Sequence, residues 1–295
     1  MNPRSLLLLF LLAGATSVAV GASSILHEER SLYRNILVYQ DGQERCLKFS
    51  RRDGARQTCR LQNDPDNLIF PYTRMMMAAL YLNPAPRRVL IVGLGGGTLP
   101  GAVRKVAPAA QIDVVEIDPA VSRVAYKYFG FTPGPLTRVH EQDGRVFIKQ
   151  RLREKSTYDL VMLDAFTDQY IPEHLLTQEF LQEVKGILAP NGVVAANTFS
   201  DSGLYHHESA TYASVFGPFF GLKTSSRVIL TRLGSLPTRE ELQANADAIE
   251  EKLRPMGTGK GWLLPKFIIE AGWPKGTRVL TDQYSPANLL NLRQP

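Results

Sequence analysis

Four acids and a run of glycines carry the chemistry that can be read from this chain. Asp164 ends the apolar run Tyr158-Asp159-Leu160-Val161-Met162-Leu163-Asp164, with Asp168 just beyond it. A carboxylate there can take a proton from an amine and attract a cation. Glu116 sits in Ile112-Asp113-Val114-Val115-Glu116-Ile117-Asp118. That is roughly 20 residues after a glycine run, the spacing at which a nucleotide fold sets an acid against a ribose diol. Asp143-Gly144-Arg145 ends a further short strand, Arg138–Gln142, where an acid can meet an adenine amino group. The glycines are Gly93, Gly95, Gly96 and Gly97, followed by Thr98. Without a Cβ they let backbone approach a ligand and permit φ > 0. Each residue also has a plainer reading: Glu116 as the end of an edge strand, Asp143-Gly144 as a turn, Asp168 as a helix cap before Pro172.

The elements that must position these groups follow from periodicity. Val89-Leu90-Ile91-Val92 reads as a buried strand ending in the glycine turn, under a helix from Leu99 to Val106. Strands at 112–118, Arg138–Gln142, Tyr158–Asp164 and Val193–Asn197 alternate with helices at Pro119–Phe129, Val146–Arg153 and Thr177–Leu188. The pattern predicts α/β architecture, a Rossmann-like, doubly wound and mostly parallel sheet. Ligands of such sheets bind at the carboxyl ends of the strands, where the acids fall. A later strand at Arg227–Thr231 and a helix at Thr238–Leu253, opened by the capping box Thr238-x-x-Glu241, complete the pattern. Leu68–Leu82 reads as a helix whose methionines Met75, Met76 and Met77 belong to the core.

The chain has 295 residues, 44% hydrophobic and 21% charged, an ordinary globular composition. A net charge of +6 without long Lys/Arg blocks indicates a solvated basic face, not a nucleic-acid stripe. At the N-terminus Arg4 precedes an apolar stretch that softens toward Val20-Gly21-Ala22. It is short for a span of about 20 residues and reads as a signal peptide over 1–22, with an uncleaved anchor as the alternative. Either places the domain on the outer, periplasmic side. Cys46 and Cys59 flank Asp53-Gly54, between alternating segments at Ile36–Phe49 and Ala55–Leu61 that read as a β-hairpin. Facing each other in an oxidising compartment they would form a disulfide worth about 3 kcal/mol. The alternative is two unrelated buried thiols. Residues 23–83 thus read as an N-terminal hairpin module with a linking helix, and 84–295 as the Rossmann-like domain. His206-His207-Glu208 reads as a strand, which points the two histidines to opposite faces, so no metal site is expected. His174 reads as a helix-start residue.

From about Tyr33 to Asn197 the chain resembles the spermidine synthase family of aminopropyltransferases, within the S-adenosylmethionine-dependent transferases. The resemblance rests on the hairpin module, the Tyr72 helix, the Gly-Gly-Gly loop, Val115-Glu116-Ile117-Asp118, Asp143-Gly144-Arg145 and the Asp164 strand. It implies that Gly93, Gly95 and Gly97 line a nucleoside pocket, that Glu116 holds the ribose and Asp143 and Gly144 the adenine, and that Asp164 faces an acceptor amine. The chain departs from the family at Thr98, where the family has aspartate, and at Tyr72-Thr73-Arg74, where it has Tyr-His-Glu. It departs again at Asp164-Ala165-Phe166-Thr167-Asp168, where the family has Asp-Ser-x-Asp, which thins the acidic diamine tunnel. Thr281-Asp282-Gln283-Tyr284-Ser285-Pro286 resembles the ending of the divergent, spermidine synthase-like branch.

The expected reaction is transfer of an aminopropyl group from decarboxylated S-adenosylmethionine to a polyamine. Methyl transfer from S-adenosylmethionine and a non-catalytic exported nucleoside- or polyamine-binding protein are the alternatives. In either transfer Asp164, or Asp168, would be the general base and no metal is needed. Tyr72 would hydrogen-bond the donor, or serve as a core aromatic. The expected partner is a small-molecule amine, with no nucleic acid, a membrane only if the leader stays uncleaved, and a homodimer as candidate assembly.

Overall fold

The computed structural model describes residues 23–50, 55–165 and 172–291. The expected leader, the expected turn at Asp53-Gly54 and Asp168 lie outside the described residues. The N-terminal strands β1 (Ser24–Arg30), β2 (Asn35–Asp41), β3 (Glu44–Lys48) and β4 (Arg56–Leu61) form an antiparallel sheet in sequential order. The segment expected as one strand from Ile36 to Phe49 is therefore two. A second Asp-Gly pair, Asp41-Gly42, turns the chain, and Gly42 supplies the left-handed φ of +53° that the turn requires. Cys46 and Cys59 are directly opposed in the β3–β4 register and joined by a disulfide. Ile36, Val38 and Leu47 pack on Val121, Val124 and Phe129, which docks this sheet on the larger domain.

The linking helix α1 (Pro71–Met77) starts at a proline and tightens into a 3-10 turn over Ala78–Tyr81, so the expected helix to Leu82 is shorter. Met75, Met76 and Met77 are fully buried, as expected. The main domain then alternates β5 (Arg88–Val92), α2 (Thr98–Val106), β6 (Gln111–Glu116), α3 (Pro119–Tyr128), β7 (Thr137–Glu141), α4 (Gly144–Arg153), β8 (Tyr158–Leu163), α5 (Gln178–Gly186) and β9 (Leu188–Thr198). It continues through α6 (Tyr205–Phe216), β10 (Phe219–Lys223), β11 (Arg227–Arg232), α7 (Arg239–Leu253) and β12 (Ile268–Glu270).

The eight strands of this domain run in the order β12-β10-β11-β9-β8-β5-β6-β7. The pairs β5–β6, β6–β7, β5–β8 and β8–β9 are parallel, and the β9, β11, β10 and β12 edge is antiparallel. Along β5, Val89 and Ile91 enter one apolar cluster while Leu90 and Val92 enter the other. This alternation is why the run is apolar throughout: both faces are covered. The chain winds outward from β5 to β7 and returns to lay β8 on the other side of β5. The strands therefore diverge between β5 and β8, and a crevice opens at their carboxyl ends. The sequence pattern does not separate β10 or β12, and residues 206–208, expected on a strand, lie on α6.

Candidate active site

A cavity of about 720 Å³ occupies that crevice, within the usual size of a small-molecule site. Its wall includes Gly93, Gly95, Thr98, Glu116, Asp143, Gly144, Asp164 and Tyr72, so the fold gathers most of the expected residues in one place. Gly96 and Gly97 do not line it. A Cβ on Gly96 would stand 2.7 Å from Thr58 Cγ2, and one on Gly97 would overlap the Phe131 ring. Both glycines serve the packing of the loop against β4 and the chain after α3. Gly97 also caps α2 in the left-handed region, with φ of +79°. Gly95 does face the cavity: at φ of +54°, a Cβ built there would meet, among the described residues, Thr58 Cβ alone, at 3.8 Å, which leaves its backbone approachable.

Glu116 is 8% exposed at the end of β6. Its Oε2 accepts from Leu94 N–H and its Oε1 from Asp118 N–H, both at 3.0 Å. The carboxylate thus ties the glycine turn to the start of α3, and one lone pair on each oxygen is left for a diol. Burial raises its pKa, opposed by those two N–H groups and by Arg34.

At the end of β8, Asp164 accepts from Asn197 Nδ2 at 3.0 Å and from the Tyr72 hydroxyl. Burial pushes its carboxyl up to about 7, with Asn197 and Tyr72 acting against the rise. Tyr72 itself is held well above the ordinary phenol value, chiefly by burial and then by Asp164, so it stays a donor. A carboxylate poised near neutrality, oriented by two donors and open to a cavity, has the properties of a general base. Tyr72 bonds this acid and belongs to the site. Neither Tyr72 nor Asn197 was assigned to Asp164 from sequence. For Asn197 the available signal was a polar residue at the end of an apolar strand.

Asp143 caps α4, its Oδ1 accepting from Val146 N–H at 2.9 Å, while its Oδ2 lies 2.9 Å from His174 Nε2. His174 belongs to a 3-10 turn, Glu173–Leu175, that lines the cavity. Thr98 Oγ1 lies 3.1 Å from Thr58 Oγ1 at the first turn of α2, so the N-terminal sheet reaches the cavity beside the glycine loop. Of the two departures beside Tyr72, Thr73 donates to Phe70 O, and Arg74 donates to Leu68 O and Asn67 Oδ1. Arg74 is absent from the cavity wall, so its charge does not enter the site.

His206, His207 and Glu208 lie on α6. Glu208 is drawn to Arg227 at 3.0 Å, and His207 Nδ1 lies 2.6 Å from Arg278 O. Arg227 is fully buried and also meets Glu270, Thr198 and Ser209, which is what lets Glu208 turn inward. Among the described residues, Glu44, Cys46 and Cys59 form a group close enough to share an ion, and its two sulfurs are in the disulfide.

A spermine/spermidine synthase domain model matches residues 69–231. A polyamine aminopropyltransferase of Vibrio vulnificus is 47% identical over 98% of this chain and 99% of its own length. Among solved structures, human methyltransferase-like protein 13 in complex with SAH is 30% identical, with a TM-score of 0.58, over 70% of this chain and 96% of that one. A probable spermidine synthase from Corynebacterium glutamicum superposes with a TM-score of 0.66 over 91% of this chain and 99% of that one. At 19% identity it shows the common fold.

Proposed function

The chain belongs to the spermine/spermidine synthase family, and on that premise we propose that it moves the aminopropyl group of decarboxylated S-adenosylmethionine onto a polyamine, with Asp164 as the base. The observation that carries the reading is Asp164 itself. It is a shielded carboxylate held by Asn197 and Tyr72 in the same cavity as Gly95 and Glu116. Glu116 accepts the ribose diol, Asp143 the adenine amino group, and Gly95 lets the backbone approach the nucleoside. Asp164 removes a proton from the acceptor ammonium. The freed lone pair forms the C–N bond in line as the C–S bond breaks, and that electron pair returns to sulfur, which leaves as the neutral thioether. Orientation supplies most of the catalysis, because the sulfonium is already a good leaving group.

Methyl transfer from S-adenosylmethionine is the second reading, favoured by the SAH-bound relative and by Thr98. A neutral residue there does not repel the carboxylate that this donor keeps. Incubating the protein with each donor and an amine, then identifying products by mass, separates the two. Aminopropylated amine with methylthioadenosine supports the first reading, and methylated product with the demethylated thioether overturns it. Turnover of neither donor with retained nucleoside binding would point to a binding protein.

We also propose that the protein lies outside the cytoplasm, released by cleavage of a leader or anchored by it. The leader's composition and the pairing of Cys46 with Cys59 support this.

A further inference from the structure

Resting on the proposed nucleoside pocket, we propose that His174, held in place by an Arg145–Asp282 brace, is a positioning residue that makes the site selective for a 6-amino purine over a 6-oxo purine. An ionised carboxylate only accepts, so the 2.9 Å contact between His174 Nε2 and Asp143 Oδ2 requires the hydrogen on Nε2. Val146 N–H holds the other oxygen at 2.9 Å. Held at both oxygens, the carboxylate is biased toward one orientation, and its remaining lone pairs favour one direction. At the purine edge they accept from an amino group and oppose a carbonyl oxygen.

His174 is set in turn by long-range contacts. Arg145 donates to its carbonyl oxygen at 3.2 Å. The same guanidinium is bidentate to Glu183, at 2.8 Å on both oxygens, and to Asp282, at 2.7 and 2.8 Å. Asp282 further accepts from Thr177 Oγ1 at 2.7 Å, and its N–H donates to Glu179. The C-terminal Thr281-Asp282-Gln283-Tyr284 segment is thereby locked under the turn that carries His174. Arg145 is only 8% exposed, and its pairing with Glu183 and Asp282 keeps it charged.

The test measures binding of methylthioadenosine and methylthioinosine by calorimetry to the parent, His174→Ala and His174→Gln. The parent should prefer the 6-amino nucleoside, and His174→Ala should lose about tenfold of that preference through weaker binding of methylthioadenosine. His174→Gln, which keeps an N–H donor, should retain most of it. Asp282→Asn, which leaves the site's own side chains intact, should reduce it in the same direction. Equal preference in His174→Ala and the parent would overturn the inference. So would an equal loss of affinity for both nucleosides, the mark of a merely structural role. A parent that binds neither nucleoside would overturn the pocket reading first, and this inference with it.

Discussion

The carbonyl oxygen of Asp164 stands directly over Gly93, where any Cβ would overlap it. Gly93 has φ of +102°, and Asp164 N–H donates to Val92 O at 2.8 Å, so the ends of β5 and β8 are drawn together at the one position with no side chain. Gly93→Ala therefore combines backbone strain with a clash against main chain. It should destabilise by about 3 kcal/mol or more, a fall in Tm of about 6 °C or more. Thermal melting checks this, and a melt within a degree of the parent would contradict the geometry.

Asp164→Asn should lower kcat by about 10²–10⁴-fold while donor binding is kept. In the parent, activity should fall with acidity as pH drops below about 7, because the base becomes protonated. The variant should lack that limb. Stability moves the opposite way. The folded pKa of about 7 lies above the unfolded value of 3.8, so the folded state binds more protons between the two. This group's contribution is most favourable at low pH and is lost as pH rises through about 7. Asp164→Asn should accordingly raise Tm more at pH 8 than at pH 5.

Glu116→Ala should weaken adenosyl-compound binding by about 100-fold or more, since two hydrogen bonds to a charged acceptor are lost and Leu94 N–H is left unpaired. Calorimetry with methylthioadenosine reads this directly. Parent-like affinity would place the ribose elsewhere.

Thr98→Asp should shift preference toward the decarboxylated donor, because the introduced charge repels the carboxylate that only S-adenosylmethionine carries. The ratio of the two donors' Kd values, parent against variant, is the measurement. An unchanged ratio would remove residue 98 from donor selection.

If the proposed leader is cleaved, protein from an exporting host should begin near Ser23, and with the Cys46–Cys59 disulfide it should carry no alkylatable thiol. Intact mass with and without alkylation decides it. A full-length mass with two alkylated cysteines would contradict both claims.

Local pattern determined much of this protein. The all-apolar runs around Val89 and Val161 announced strands buried on both faces, and the acids ending at Glu116, Asp143 and Asp164 announced a site, because strand ends and turns are written in neighbouring residues. The spacing of Cys46 and Cys59 around an Asp-Gly pair reported their cross-strand partnership for the same reason, although Asp41-Gly42, an equally local signal, was passed over. The tertiary structure alone decided what depends on contacts distant in sequence. Glu208 makes α6 look polar on the face that is buried, and Arg227, fully buried on β11, pairs with it there, joined by the Phe199 backbone N–H, so that the burial is tolerable. Tyr72 and Asn197 converge on Asp164 from α1 and β9 because of the strand order, which no periodicity encodes. Gly96 and Gly97 look identical to Gly95 in a glycine run, yet Thr58 and Phe131 claim them for packing, and of these three it is Gly95 that lines the cavity, as Gly93 before it does. A glycine's role is set by what approaches the space where its side chain would be, and that space exists only once the chain has folded.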